Sequence, residues 1–377
     1  MSAWPGKYVI GLTGNIATGK SVVRRMLEHL GAYGIDADAL GHRAIAQGAP
    51  GYKPVLDMFG KWILAGDGQI DRGKLARVVF ADAEALSRLE SVVHPLVDQA
   101  IDVLVRRSSQ RVIVIEAIKL LESGLSLKCD SLWVTHAMQE IQLVRLMSKR
   151  GMSEAVARQR IASQPPQEEK IAAANFVIRN DGSFEDTWKQ VVAAWQEIFP
   201  AADTGPLRPV KAAQGELAIQ RARPRQAGEI AALIGRLSNG SRKPGRDDIM
   251  AAFGEKAYLL LTLGDRMVGL MGWQVENLVA RTDEVYIEPT VSFNEAVRAL
   301  IEEVERASRE LQCEISLMFV PPQLANRQDV WNMLGYQERS IQSLKVRAWE
   351  EAASESMPPG SKLFFKQLRK DRVLRPV

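Results

Sequence analysis

A chain of 377 residues is long enough for two globular domains, each with its own hydrophobic core. The formal net charge of +4 is small for this length and gives no indication of nucleic-acid binding, and no uncharged run is long enough to cross a membrane. The two cysteines, Cys129 and Cys313, fit neither a metal-binding spacing nor a disulfide framework, so we expect a cytoplasmic protein without nucleic-acid or membrane partners.

Strands and helices are predicted to alternate over residues 1–200. The strand Tyr8–Thr13 leads through a glycine-rich loop into a helix, and a short second strand ends at Asp36. Buried or short strands follow at 111–116, 131–135 and 176–178, with helical segments between them. This alternation predicts an α/β domain whose parallel sheet is covered by helices on both faces.

The loop after the first strand has the spacing and context of a P-loop, Gly14-x-x-x-x-Gly19-Lys20-Ser21, between a strand and a helix. The glycines let successive backbone N–H groups point at phosphate oxygens, and the helix N-terminus adds positive charge. Lys20 is expected to reach the β- and γ-phosphates, and the Ser21 hydroxyl suits Mg²⁺. The residues predicted to bind ATP are Gly14, Asn15, Ile16, Ala17, Thr18, Gly19, Lys20, Ser21 and Val22.

Two carboxylates, Asp36 and Asp38, stand at the end of the second strand. The carboxyl ends of parallel strands face the ligand crevice, where a carboxylate can accept the proton of an attacking hydroxyl. If the strand continues, both side chains lie on one side of it, with one serving the nucleophile and the other Mg²⁺ or the structure. The alternative for Asp38 is a helix N-cap.

His94 precedes a proline within a long helical pattern. Pro95 is predicted to break the helix, which would place His94 at a bend facing the crevice. A packed or solvent-facing histidine is the alternative.

Arginines recur on two predicted helices that meet at Gly151. Arg145 and Arg150 precede this glycine, and Arg158 and Arg160 follow it. Guanidinium groups clamp phosphates, and a hinged helical pair of this kind suits a kinase lid that excludes water. A solvated charged face is the alternative for some of these arginines.

Together these motifs resemble the dephospho-CoA kinase family along nearly all of residues 10–199. The P-loop alone would not separate this family from shikimate or nucleoside kinases, but the order and spacing of the other motifs are specific. They are Ile35-Asp-Ala-Asp38, Asp67-Gly-Gln-Ile-Asp-Arg72, His94-Pro95-Leu96, Leu121-Glu-Ser-Gly124, Arg160-Ile-x-x-Gln164 and Val177-Ile-x-Asn180-x-Gly182.

The resemblance implies transfer of the ATP γ-phosphate to the ribose 3′-hydroxyl of dephospho-CoA, with Mg²⁺. By position, Asp38 is then the catalytic base, and Lys20 with the loop backbone holds the ATP phosphates. Ser21 is the Mg²⁺ ligand. Arg145 and Arg150 make catalytic, phosphate or lid contacts. We further expect Asp36, His94 and Lys119 to contact the acceptor substrate.

The chain departs from the family pattern in two places. Where the family has a Pro-Leu-Leu-Phe-Glu-like turn after the third strand, this chain has Ile118 and Lys119 in the first two places. Lys119 is then either a phosphate contact or a solvent-facing side chain. Asn15 stands where the family often has glycine, and asparagine tolerates left-handed backbone angles better than most residues.

Residues 201–215 are rich in proline, glycine and alanine and lack periodicity, which predicts a linker. Residues 216–377 combine strands and helices in an α+β pattern that resembles the GNAT-type acyltransferase fold. The segments Val285-Tyr-Ile-Glu-Pro289 and Leu334-Gly335-Tyr336 carry this likeness. The segment expected to hold the pyrophosphate of acetyl-CoA, Thr290–Val297, contains no glycine and carries Glu295 where a helix begins.

Three interpretations of the C-terminal half follow. It is a degenerate acyltransferase fold with a structural, dimerising or regulatory role, an acyltransferase with an altered CoA loop, or a domain that binds CoA, acetyl-CoA or a partner without catalysis. For the whole chain, the alternative to a kinase is a GNAT-type N-acetyltransferase or CoA-binding regulatory protein whose P-loop domain senses nucleotide.

Overall fold

The computed structural model describes residues 3–200, 217–238, 240–370 and 373–374. The predicted linker at 201–215 lies outside these residues. Where the chain is described, no helix is both long and apolar enough to cross a membrane.

The N-terminal domain is built on five strands, all parallel where they pair, in the order β2-β3-β1-β4-β5. This confirms the predicted parallel sheet. The strands are β1 (Tyr8–Thr13), β2 (Tyr33–Asp36), β3 (Val112–Glu116), β4 (Ser131–His136) and β5 (Phe176–Arg179). The helices are α1 (Lys20–His29), α2 (Ala37–Ala44), α3 (Tyr52–Phe59), α4 (Arg72–Val79), α5 (Ala83–Arg107), α6 (Gln139–Arg150), α7 (Glu154–Ala162), α8 (Gln167–Ala173) and α9 (Phe184–Ile198).

Helices cover both faces of this sheet, because successive side chains of its buried strands point to opposite sides. Ile113 and Ile115 of β3 join a core cluster with residues of α2 and α5. Val112 and Val114 join a second cluster with residues of α1 and α9. Helix α1, which follows the P-loop, is thereby packed against one face of the sheet, and α2 and α5 are packed against the other.

One prediction in this domain is wrong. Helix α5 runs without a break from Ala83 to Arg107, with Pro95 inside it. A proline removes one backbone hydrogen bond, but apolar residues on both sides of Pro95 are buried, Ala85 in one cluster and Val97 to Val105 in another. Tertiary packing thus outweighs the local cost of the proline.

Within residues 217–238, 240–370 and 373–374, the C-terminal domain has seven strands in the order β11-β12-β10-β9-β8-β7-β6, and only the β9–β10 pair is parallel. Its strands are β6 (Leu217–Arg221), β7 (Ala257–Leu263), β8 (Arg266–Glu276), β9 (Val279–Ile287), β10 (Ile315–Val320), β11 (Gln337–Arg339) and β12 (Lys362–Gln367). The helices are α10 (Ala227–Leu237), α11 (Arg246–Ala252), α12 (Phe293–Glu310), α13 (Pro322–Ala325), α14 (Gln328–Met333) and α15 (Arg347–Ser356). Strands and helices mix as predicted.

Candidate active site

The P-loop connects β1 to α1, and both of its glycines have backbone angles that favour glycine. Gly14 has φ 150° and Gly19 has φ 94°. A Cβ on Gly14 would lie 2.4 Å from the Thr135 carbonyl oxygen. The residue between these glycines with a left-handed backbone is Ala17, at φ 58°, whereas Asn15 has no positive φ. Asparagine at position 15 therefore does not have to adopt a left-handed backbone.

Lys20 lies over the loop that precedes it. Its ammonium donates to the carbonyl oxygens of Gly14 at 3.0 Å and Asn15 at 3.2 Å, and the residue is only 8% exposed. Burial lowers the pKa of Lys20, and the nearby carboxylates of Glu116 and Asp38 oppose this shift. A cation held in place before phosphate arrives is suited to electrostatic stabilisation.

Ser21 belongs to a polar cluster that the sequence did not reveal. Its hydroxyl donates to Glu116 at 2.8 Å, and Arg24 donates from Nε to the other oxygen of the same carboxylate at 2.7 Å. Glu116 is 4% exposed and ends β3, directly beside β1. The sequence could have indicated Glu116 as a site residue, because it stands at the carboxyl end of a predicted strand, as the aspartates do.

Asp36 and Asp38 have different surroundings. Strand β2 ends at Asp36, which caps α2 by accepting from the Ala39 N–H at 2.9 Å. Burial raises the pKa of Asp36 to about 6, with Glu116 adding to the rise. The strand does not continue past Asp36, so the condition under which both carboxylates would lie on one side of it is not met, and the N-cap role considered as the alternative for Asp38 belongs to Asp36.

Asp38 lies in the first turn of α2 and accepts a hydrogen bond from the Ile118 N–H at 3.1 Å. Burial raises the pKa of Asp38, while this hydrogen bond and the Lys20 ammonium lower it. Asp38 and Lys20 are near enough for each to affect the pKa of the other. The structure thus brings a partly buried carboxylate to the mouth of the P-loop.

Two lysines with different surroundings lie at the turn after β3, one within the turn and one on α8. Lys119 pairs with Glu90 at 2.8 Å, and its side chain is 45% exposed. Lys170 of α8 has a side chain only 3% exposed, and its ammonium donates to the Ile118 carbonyl oxygen at 2.9 Å. The sequence singled out Lys119, but Lys170 is the lysine beside the catalytic candidates.

The predicted lid helices contact the P-loop directly. Arg145 of α6 donates to the carbonyl oxygens of Ala17 at 3.2 Å and Asn180 at 2.7 Å. The Gln164 side chain accepts from the Ile16 N–H at 2.6 Å. Helices α6 and α7 also bury Leu146 and Ala157 against Ile16. The predicted lid is therefore packed on the P-loop.

Three other predicted residues lie apart from these contacts. Arg150 ends α6 with an exposed side chain. Val22 packs beside the core between the sheet, α1 and α9, so only its backbone is left for ATP. His94 is half-buried on α5 and makes no hydrogen bond or ion pair with the residues described. His94 thus stays a candidate on the helix that packs against α2.

In the C-terminal domain, a charged cluster surrounds Glu288, which directly follows β9. Glu288, 7% exposed, pairs with Arg236 at 2.6 Å and Arg266 at 2.9 Å. Glu295 stands in the first turn of α12. Tyr336 is fully buried and donates to the Ser316 hydroxyl at 2.9 Å, which makes it a core residue.

The first domain fits a nucleotide with a divalent cation. The cradle of the P-loop contains positions that a Cβ would fill, and its lysine is already desolvated. Among described residues, no group of three or more His, Cys, Asp and Glu side chains forms a metal site by itself. The exposed Ser21 hydroxyl beside Glu116 suits a Mg²⁺ that keeps phosphate and water ligands.

Comparison with known proteins agrees with this geometry. The dephospho-CoA kinase family model matches residues 8–186. The curated dephospho-CoA kinase of Geobacter metallireducens is 44% identical over 192 residues, which cover 50% of this chain and 96% of that protein.

Solved structures resemble each part of the chain. Dephospho-CoA kinase from Campylobacter jejuni has 28% sequence identity and a TM-score of 0.38, covering 51% of this chain and 97% of that chain. A GNAT-family acetyltransferase from Staphylococcus aureus has 13% identity and a TM-score of 0.33, covering 41% of this chain and 100% of that chain.

Proposed function

This chain belongs to the dephospho-CoA kinase family, and on that premise we propose that it transfers the γ-phosphate of ATP to the 3′-hydroxyl of dephospho-CoA. The observation that carries this proposal is that Asp38 and Lys20 are both held at the P-loop. The Ile118 N–H donates to Asp38 while the Ile118 carbonyl oxygen accepts from Thr13 at the end of β1, and Lys20 donates to the Gly14 carbonyl oxygen. Asp38 supplies a proton acceptor, and Lys20 supplies positive charge for the phosphate. We place the kinase in residues 1–200 and the second domain in residues 216–377.

Asp38 is the general base of the proposed reaction. Its carboxylate accepts the proton of the 3′-hydroxyl as that oxygen attacks the γ-phosphorus. The bond between the γ-phosphorus and the oxygen that bridges it to the β-phosphorus breaks, and ADP leaves. The Ile118 N–H holds one carboxylate oxygen, which orients the group toward the acceptor.

Lys20 and the loop N–H groups bind the donor phosphates, with Gly14 and Gly19 permitting the close backbone approach. Ser21 is the proposed Mg²⁺ ligand, with Glu116 as its hydrogen-bond acceptor. When bound, Mg²⁺ neutralises charge on the transferred phosphate. Arg145 ties the lid to the loop, and Arg150 at the end of α6 is the proposed mobile phosphate contact.

The acceptor side is proposed from Asp36, His94 and Lys119. Asp36 shapes the start of α2, and His94 lies on the helix beneath it. Lys119 is engaged with Glu90, so substrate contact requires exchange of this exposed ion pair, which costs little. Both cysteines are free thiols, which supports a cytoplasmic location for the reaction.

The direct test is phosphorylation of dephospho-CoA by the purified chain with ATP and Mg²⁺, followed by separation of the CoA product. We expect equimolar ADP and CoA. Shikimate and a nucleoside serve as competing acceptors, and turnover of either without turnover of dephospho-CoA would contradict the proposal.

For the C-terminal domain we propose a GNAT-like fold without acyl transfer. The Glu295 carboxylate and the absence of glycine from 290–297 disfavour a pyrophosphate there, and Glu288 already pairs with the nearby Arg236 and Arg266. Acetylation of a small amine by the intact chain with acetyl-CoA would overturn this view. Tight binding of CoA without turnover, lost when the Glu295 region is altered, would favour the CoA-binding alternative.

A further inference from the structure

The hairpin that joins β8 to β9 enters the N-terminal domain. Its two-residue turn is Asn277 and Leu278, with φ of 52° and 62°. Leucine rarely adopts a left-handed backbone, because its Cβ is crowded there. Leu278 is nevertheless 8% exposed, packed in the core cluster that contains Leu40 of α2 and Leu104 of α5. The cost of this unfavourable backbone is thus offset by packing of the Leu278 side chain in the core of the N-terminal domain.

Polar contacts attach the same hairpin to the end of α2. Arg43 donates to the Asn277 carbonyl oxygen at 2.7 Å and forms an ion pair with Glu314, whose side chain is 1% exposed. The Glu314 N–H in turn donates to the Leu278 carbonyl oxygen at 2.7 Å. Arg43 therefore contacts both the turn and the chain segment that supports it.

Helix α2 has Asp38 in its first turn and Arg43 in its last turn. Five residues of helix separate them by about 7.5 Å. A cavity beside the helix is lined by Asp36, Leu40 and Arg43 on one side and by Asn277 and Leu278 on the other. Movement of the turn away from this cavity would leave the helix free to shift toward it.

We infer that the C-terminal domain positions the catalytic base of the kinase, through the Asn277–Leu278 turn and the Arg43–Glu314 pair that fix helix α2. The C-terminal domain thereby has a function in phosphoryl transfer without a ligand of its own. The inference rests on the proposed role of Asp38. Leu278, Arg43 and Glu314 are positioning residues, since they act on the substrate only through the helix.

The variant Leu278→Gly separates this role from a merely structural one. Asn-Gly is a preferred pair for a two-residue hairpin turn of this geometry, so the hairpin itself is expected to fold at least as well. Loss of the side chain from the N-terminal core leaves α2 unsupported. We expect kcat for dephospho-CoA to fall about tenfold, the scale of a small misplacement of a reacting group. The KM for ATP should stay unchanged, because the P-loop lies on β1 and α1.

Arg43→Met is the second variant, and Arg72→Met is the matched control. Arg72 makes another interdomain ion pair, with Glu351 at 3.3 Å, but it lies on α4 with a half-exposed side chain. Arg43→Met should lower kcat like Leu278→Gly, and Arg43→Lys should restore part of the loss. Arg72→Met should retain wild-type kcat.

The outcomes distinguish the two proposals. A wild-type chain that does not phosphorylate dephospho-CoA overturns the proposed function and this inference together. An active wild type whose Leu278→Gly and Arg43→Met variants keep full kcat overturns the inference alone. If Leu278→Gly unfolds below the assay temperature, the kcat values of Arg43→Met and Arg43→Lys test the inference instead. An equal loss of kcat in Arg72→Met would mean that any interdomain contact matters, and it would overturn the assignment to α2.

Discussion

The backbone N–H of Ile118 donates to the Asp38 carboxylate at 3.1 Å across 80 residues of sequence. The carbonyl oxygen of the same residue accepts from Lys170 at 2.9 Å. The Ile118 side chain is therefore not what matters at this position. Its backbone connects Asp38, the proposed base, with a buried lysine of α8, and a proline there would have no N–H to donate.

Asp38→Asn should lower kcat by roughly 10² to 10⁴-fold, because an amide cannot accept the proton of the acceptor hydroxyl. The KM for ATP should change little, since Lys20 and the loop remain. Steady-state kinetics with dephospho-CoA checks this, with a melting curve as the control for folding. A kcat within threefold of wild type would show that Asp38 is not the base.

Asp36 should affect stability through its cap on α2. Asp36→Ala removes the acceptor of the Ala39 N–H and should lower the free energy of unfolding by about 1 kcal/mol. Asp36→Asn keeps an acceptor and is the matched control. Urea unfolding measures both, and equal losses in the two variants would argue that charge rather than capping stabilises this turn.

Asp36 also predicts a pH effect on stability. Its pKa is about 6 in the folded chain and 3.8 without perturbation. A raised pKa means that the folded state binds the proton more tightly. The stabilisation from this group is thus complete below about pH 3.8 and is lost as the pH rises toward 6. The difference in unfolding free energy between wild type and Asp36→Asn, measured across this range, should follow that course. A difference that does not vary with pH would contradict it.

Lys170→Met should lower kcat about tenfold. It should also move the acidic limb of the pH profile of kcat to higher pH. The variant loses the hydrogen bond to Ile118, and the Lys170 ammonium lowers the pKa of Asp38 in the wild type. The pH dependence of kcat checks both effects. Lys119→Met, which removes a half-exposed ammonium paired with Glu90, should leave the limb in place. A limb that moves equally in both variants would indicate a general effect of charge.

Gly14→Ala should abolish ATP binding and lower the free energy of unfolding by roughly 1–3 kcal/mol. The new Cβ would lie 2.4 Å from the Thr135 carbonyl oxygen and 2.8 Å from the Thr18 hydroxyl. The Thr135 oxygen belongs to β4, which is hydrogen-bonded to β1 and so cannot easily move away. Gly66→Ala is the control, because no heavy atom lies within 4 Å of its Cβ position. Fluorescent nucleotide titration and melting curves should separate the two variants.

Sequence patterns were sufficient for features that depend on neighbouring residues. The strand, loop and helix around Gly14–Ser21 are local, and so is the strand–helix alternation that predicts a parallel sheet. The residue types of a P-loop specify phosphate binding because no distant partner is needed to form the cradle.

Tertiary structure decided the features that depend on distant contacts. Packing on both sides of Pro95 kept α5 continuous, and the end of β2 at Asp36 made Asp36 the cap of α2 and placed Asp38 in the first turn of that helix. Glu116 and Lys170 reach the site from elements remote in sequence, as does the Asn277–Leu278 turn beside α2. No local periodicity encodes such neighbours, since burial and hydrogen bonding across the fold create them.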